Sequence, residues 1–90
     1  MDLIRVLNSI GKSTFVKYYY TFRDASRETC IAAFTEEYTY TAKSTRTGHA
    51  QRIFREGMEK EALQNIRSSR KVDDESIAQA CEILKREFNC

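Results

Sequence analysis

The chain contains no proline and only three glycines among its 90 residues. These two residue types are the strongest local signals of turns, so their scarcity disfavours folds made of many short strands and loops. Long stretches of helix are the natural alternative. The sequence therefore predicts a fold built from α-helices.

Apolar residues recur every three or four positions along most of the chain, which is the spacing of one helical face. Small polar residues that commonly cap helices precede several of these stretches. The predicted helices are 3–10 after Asp2, 15–24 after Ser13 or Thr14, 27–37 after Ser26, 47–67, and 74–88 after Asp73. We therefore expect an all-α, single-domain bundle over residues 1–90 with about five helices, within a range of four to six.

Two places leave the number of helices open. Gly57 interrupts the fourth apolar stripe, and because glycine costs about 1 kcal/mol relative to alanine in a helix it marks a close crossing, a kink or a break. Residues 38–47 begin with alternating tyrosine and threonine, which favour strands. A lone strand would leave its backbone groups without a partner. We expect a short ordered connector near 38–47, or the end of the third helix.

The composition indicates a soluble protein with one core. Ten aromatic residues supply apolar area that disordered chains lack, and no apolar run approaches the roughly 20 residues that span a bilayer. The N-terminus lacks the features of a signal peptide. The three cysteines are widely spaced, so we expect a cytoplasmic protein with reduced thiols, in which Cys30 and Cys81 are buried and Cys90 is exposed.

Motifs for catalysis, cofactors and metals are weak. Gly11-Lys12-Ser13-Thr14 resembles the end of a phosphate-binding loop, but Val6 occupies the position of the required first glycine. His49 is the only histidine, so a metal or catalytic site would need a thiol or carboxylate from another helix. We expect no enzyme activity, no cofactor and no metal. A cleft joining His49 to such a group would indicate a small enzyme instead.

A basic segment near the middle of the chain is the candidate for binding a nucleic acid or another anion, since arginine makes bidentate contacts to phosphate. The predicted nucleic-acid-binding residues are Lys43, Arg46, Arg52, Arg55, Arg70 and Lys71, with His49 and Arg67 beside them. Positions 46, 49, 52 and 55 step around a helix by about 60° each, so they do not form one stripe. The formal net charge of +2 does not by itself indicate such a partner.

A helix-turn-helix centred on residues 67–71 is disfavoured. The helix that would enter the DNA groove begins with Asp73, Asp74 and Glu75, which phosphates would repel.

Tyrosine is the other unusual feature. Tyrosines are enriched in interface cores, and the five in this chain lie between residues 18 and 40. The predicted partner-binding residues are Tyr18, Tyr20, Tyr38 and Tyr40. The leading hypothesis from sequence is a non-enzymatic protein-interaction module that binds another protein or forms a homo-oligomer. The alternative hypothesis is nucleic-acid binding through the basic segment.

Overall fold

A computed structural model describes all residues from Met1 to Cys90 and contains seven α-helices and no strand. In chain order the helices are α1 (Leu3–Ile10), α2 (Lys12–Lys17), α3 (Tyr19–Asp24), α4 (Arg27–Ala33), α5 (Tyr40–Arg55), α6 (Glu59–Arg67) and α7 (Asp74–Phe88). The all-helical class expected from the sequence is confirmed. The number of helices exceeds the predicted four to six because two predicted helices are each divided in two.

The predicted second helix is divided at Tyr18, whose backbone leaves the helical region (φ −109°, ψ 21°). The division is local, because the Tyr18 amide still donates to the Thr14 carbonyl oxygen (3.1 Å). Helix α2 begins at Lys12, directly after Gly11, whose φ of 92° suits a residue without a side chain. The expectation that Ser13 or Thr14 caps this helix is wrong, because both lie inside its first turn.

The predicted connector near 38–47 is wrong over most of its length. The chain becomes extended at Phe34 (φ −61°, ψ 128°), and α5 already begins at Tyr40. The Thr39 hydroxyl caps α5 by accepting a hydrogen bond from the Ala42 amide (3.2 Å). A side-chain cap therefore starts a helix where the tyrosine–threonine alternation suggested none.

Gly57 marks a true break between α5 and α6. Its φ is 68°, and a side chain there would meet nothing within 4 Å, so no helix crosses closely at this point. The Gly57 amide donates to the Phe54 carbonyl (3.1 Å) and the Met58 amide to the Ile53 carbonyl (2.9 Å). These paired hydrogen bonds are a Schellman motif, which ends α5 and turns the chain into α6.

The core lies between all seven helices, with α1 packed on α5, α2 on α7, α3 and α4 on α5, and α6 on α7. Aromatic rings fill its centre: Phe15 stacks on Phe22 and Phe54 and meets the edge of Tyr19. The largest fully buried side chains are Tyr19, Phe15, Phe22, Leu7, Ile10, Ile53, Leu63, Ile66, Leu84, Thr47 and Cys30. No helix combines the length and the apolar character needed to span a lipid bilayer.

Helix α7 matches its prediction except for the exact face that it buries. Asp73 caps the helix by accepting a hydrogen bond from the Ser76 amide (3.0 Å). The buried residues are Ser76, Ala80, Ile83 and Leu84. Ala80 and Leu84 belong to the stripe that the apolar spacing predicts, which is Ile77, Ala80, Cys81, Leu84 and Phe88, whereas Ser76 and Ile83 do not. Cys81 is consequently exposed, which corrects the expectation that it is buried, whereas Cys30 is buried as expected and Cys90 is exposed.

Candidate nucleic-acid interface

Helix α5 is the most basic element of the fold. Its 16 residues include Lys43, Arg46, Arg52 and Arg55 and no aspartate or glutamate. The nearest acidic residues along the chain are Glu37 before the helix and Glu56 after it. The small net charge of the whole chain therefore conceals one strongly cationic helix.

Apart from Tyr40, the exposed residues of α5 form one stripe, because positions 41, 45, 52 and 55 are separated by three, four or seven residues. They are Thr41, Thr45, Arg52 and Arg55. Only Thr47, Ala50 and Ile53 are buried, and they lie on the opposite side of the helix. The stripe therefore points away from the core.

Arg27, at the start of α4, extends across this stripe. Its Nη2 donates a hydrogen bond to the Ser44 hydroxyl, and its Nη1 would lie 3.1 Å from a Cβ built on Gly48. Glycine at position 48 thus makes room for the guanidinium group on the surface of α5. We define the outer face of α5 as Arg27, Thr41, Ser44, Thr45, Arg52 and Arg55.

The cations of the outer face are weakly neutralised. Neither Arg27 nor Arg55 lies within salt-bridge distance of a carboxylate. The Arg52 Nε is 3.9 Å from the Glu56 Oε1, at the limit of an ion pair, and both side chains are about half exposed. Exposed pairs of this kind contribute little, so Arg52 is free to exchange Glu56 for another anion.

The structure divides the predicted basic segment. Arg52 and Arg55 belong to the outer face, whereas Arg46 turns inward, where its Nη1 donates to the Ile10 carbonyl at the end of α1. The Arg46 guanidinium also lies 4.2 Å from the ring centroid of Tyr38. Arg46 therefore holds α1 and α5 together, and Lys43, one turn earlier, is half-buried.

Arg70 and Lys71 lie elsewhere, in the exposed connector between α6 and α7. Lys71 lines a shallow surface cleft that also contains Lys12 and Asp73, and the Lys12 Nζ is 3.4 Å from the Ser69 hydroxyl. The cleft around Lys71 thus contains the carboxylate of Asp73 as well as basic groups. The predicted nucleic-acid-binding residues of α5 and those of the connector between α6 and α7 therefore do not form one site.

The tyrosines are mostly occupied inside the fold. Tyr18 is buried, and its hydroxyl lies 3.1 Å from the Thr35 amide and 2.7 Å from the Glu36 Oε1, so it does not face a partner as predicted. Tyr20 and Tyr38 are half-buried, and arginine side chains lie over both rings. Of the four predicted residues only Tyr40 is exposed, at 70%.

The hydrogen bonds of Tyr18 and Lys17 fix the connector that leads into α5. The Lys17 Nζ donates to the Glu36 Oε2 at 2.8 Å and to the Thr35 hydroxyl at 3.2 Å. Partial burial opposes the charge of Glu36, but these hydrogen bonds from Lys17 and Tyr18 outweigh it and lower the pKa of Glu36 to about 2. Polar contacts therefore hold the connector between α4 and α5 against the end of α2.

The remaining clefts contain polar groups that already bind one another. In the cleft between α2 and α7, of about 340 Å³, the Ser13 hydroxyl donates to the Asp73 Oδ1 at 2.8 Å, and Lys17 pairs with Glu36. No three histidine, cysteine or acidic side chains gather to hold a metal ion. Gly11 joins α1 to α2, and Lys12 to Thr14 form the first turn of α2, without the strand that a phosphate-binding loop requires.

The nucleic-acid-binding residues predicted from the sequence do not include four members of the outer face, namely Arg27, Thr41, Ser44 and Thr45. Two signals pointed to them: the absence of acidic residues between Glu37 and Glu56, and a glycine at position 48 inside a helix. Glycine at such a position commonly marks the close approach of another group. Comparison with known proteins found no matching family model, no similar curated protein and no similar solved structure.

Proposed function

We propose that this protein binds nucleic acid through the outer face of α5. The observation that carries the proposal is a face, formed by α5 and by Arg27 of α4, that presents three arginines and three hydroxyl groups, with the carboxylate of Glu56 at its end, 3.9 Å from Arg52. Arginine and hydroxyl side chains are the groups that most often contact phosphate oxygens. Charge complementarity with a polyanion is therefore good.

The shape of the face favours a long polyanion over a small one. Thr41 and Arg55 are separated by about 21 Å along the axis, at 1.5 Å per residue. That length corresponds to about six nucleotide steps of 3.4 Å. A small anion is usually bound in a concave pocket, whereas of the outer face only Arg55 lines a surface cleft.

Arg52 and Arg55 differ from the other predicted site residues, because their side chains lie on the surface and bridge no helices. Arg46 bridges two helices, and Tyr18 holds the connector before α5. A role in stabilising the fold therefore explains both residues. The side chains of Arg52 and Arg55 are exposed and make only one long ion pair. A cationic surface with so few internal partners is available for binding an anion.

The test is the salt dependence of binding, measured by fluorescence anisotropy with labelled single-stranded and double-stranded DNA. Three arginine–phosphate contacts predict a slope of about −2.7 in a plot of log affinity against log salt, or a loss of about 40-fold between 50 and 200 mM salt. Replacing two of them, in the double variant Arg52→Gln/Arg55→Gln, should reduce the slope by about 2.

The matched control is the double variant Arg70→Gln/Lys71→Gln. It removes the same charge from the exposed connector and should leave the slope unchanged. Equal losses in the two variants would show that only net charge matters, and absence of binding at low salt would end the proposal. Circular dichroism of both variants checks that the helices are retained.

A further inference from the structure

The packing of α3, α4 and α5 resembles a known arrangement for reading DNA. Each of these three helices contacts the other two, and α4 and α5 are joined by residues 34–39. A helix-turn-helix places its second helix in the major groove while the first crosses the backbone. Its usual turn has three or four residues. Here the connector is longer, and the buried Phe34 and the hydrogen bonds of Tyr18 and Lys17 hold it in place.

The outer face separates groups suited to bases from groups suited to phosphates. The N-terminal half of α5 presents the short side chains of Thr41, Ser44 and Thr45, which allow close approach to base edges. The guanidinium group of Arg27 reaches this half from α4 and donates to the Ser44 hydroxyl, and Arg52 and Arg55 lie beyond it near the C-terminal end of the helix. Phosphate contacts position a protein on DNA, and contacts to base edges provide specificity.

The first turn of α5 also meets an electrostatic requirement that the first turn of α7 does not. It contains no acidic residue, whereas α7 begins with Asp74 and Glu75 directly after the cap Asp73. The N-terminus of a helix carries a partial positive charge, which favours phosphate there. The first turn of α5 therefore presents no carboxylate to a phosphate strand, and the nearest acidic residues, Glu36 and Glu37, lie before it in the connector.

From this placement we infer that α4 and α5 form a helix-turn-helix that binds duplex DNA, with Thr41, Ser44 and Thr45 facing base edges in the major groove. The inference rests on the proposed nucleic-acid binding and specifies its partner. An α-helix with its side chains is about 10–12 Å wide and fits the major groove of B-form DNA, which is about 12 Å wide. The major groove of an RNA duplex is too narrow and deep to admit it.

The experiment compares one sequence prepared as a DNA duplex and as an RNA duplex, followed by dimethyl sulfate footprinting of the DNA complex. Both duplexes carry the same phosphate charge, so a difference in affinity reports groove shape. We expect binding to DNA to be at least about 10-fold tighter than binding to RNA, with protection of guanine N7 in the major groove and not of adenine N3 in the minor groove.

The double variant Thr41→Ala/Thr45→Ala tests the assigned residues. It should reduce the preference for DNA and the protection of N7 while the salt slope persists, since no phosphate contact is removed. The double variant Ser9→Ala/Ser68→Ala removes two exposed hydroxyls elsewhere and should change neither quantity.

The outcomes separate this inference from the proposed function. Salt-dependent binding with equal or tighter affinity for RNA, or without N7 protection, would overturn the helix-turn-helix assignment and leave nucleic-acid binding intact. Absence of binding to both duplexes and to single strands would overturn both.

Discussion

The two longest helices of the protein, α5 and α7, differ in almost every property except length. Helix α7 carries four acidic and two basic residues, with two of the acidic residues in its first turn and both basic ones in its last. Helix α5 carries four basic residues and no acidic one, and its apolar pattern is weak. The charged residues in the first and last turns of α7 complement its dipole at both ends, whereas in α5 only Arg52 and Arg55, in the last turn, do so.

The difference shows which part of the molecule is optimised for folding. Helix α7 has a side-chain cap and a buried stripe that ends in the fully buried Leu84. Helix α5 is also capped, by Thr39, and it buries three residues and packs against α1, α3, α4 and α6, while its outer face is free to serve another purpose. Surface groups that stability does not require are the best candidates for function.

The largest expected effect comes from a buried residue of α7 compared with an exposed one of α5. Leu84→Ala should lower the free energy of unfolding by about 2–5 kcal/mol, because it removes buried methyl groups and leaves a cavity. Arg52→Ala should change it by no more than about 0.5 kcal/mol. Urea unfolding followed by circular dichroism measures both. A loss of more than about 1 kcal/mol for Arg52→Ala would show that the outer face supports the fold.

An intermediate effect is expected at the two helix caps. Thr39→Ala and Asp73→Ala should each cost about 1 kcal/mol, because each removes the acceptor for an amide in the first turn. Asp73→Ala should cost more, because this carboxylate also accepts hydrogen bonds from the hydroxyls of Ser13 and Ser76, both at 2.8 Å. Urea unfolding at neutral pH gives the order, and a larger loss for Thr39→Ala would contradict the structure.

The same pair of caps should differ in pH dependence. Hydrogen bonds from Ser76 and Ser13 lower the pKa of Asp73 below its ordinary value of 3.8. A carboxyl group with a lowered pKa in the folded state contributes stability above the pKa of the unfolded chain and loses it as pH falls through the folded pKa. The difference between wild type and Asp73→Ala should therefore shrink below pH 3.8. The difference for Thr39→Ala should stay constant.

The smallest effect on stability, with a clear effect on binding, is expected for Gly48→Ala. Alanine is favoured over glycine in a helix by up to about 1 kcal/mol, and the new Cβ meets only the flexible end of Arg27. Stability should be unchanged or slightly higher, while Arg27 is displaced and the salt slope of DNA binding falls by about 0.9. Unchanged binding would remove Arg27 from the interface, and Arg27→Gln provides the direct comparison.

Much of the fold follows from local sequence rules. The caps Asp2, Ser26 and Asp73 each accept a hydrogen bond from an amide in the first turn, as their positions predicted. Apolar spacing correctly indicated helices around Leu7 and Leu84. These features depend on residues within one or two turns of each other, which a sequence displays directly.

The rest depends on contacts between distant residues. The start of α5 is masked by strand-favouring tyrosines and threonines, and Tyr38 is half-buried between Phe34 and Arg46 only after the chain has folded. Arg46 turns inward because it binds the carbonyl of Ile10 at the end of α1, whereas Arg52 stays exposed. Local sequence does not show this long-range contact. The candidate site was therefore predicted as a basic segment, but its face and Arg27 were not.

The most direct test of the central claim is a titration of the isotopically labelled protein with a short DNA duplex, followed by NMR. The account predicts that chemical shifts change at Thr41, Thr45 and Arg52 of α5 and at Arg27, while the exposed residues of α7 keep theirs. Changes concentrated on α7 or on the connector at Arg70, or no changes at low salt, would contradict it.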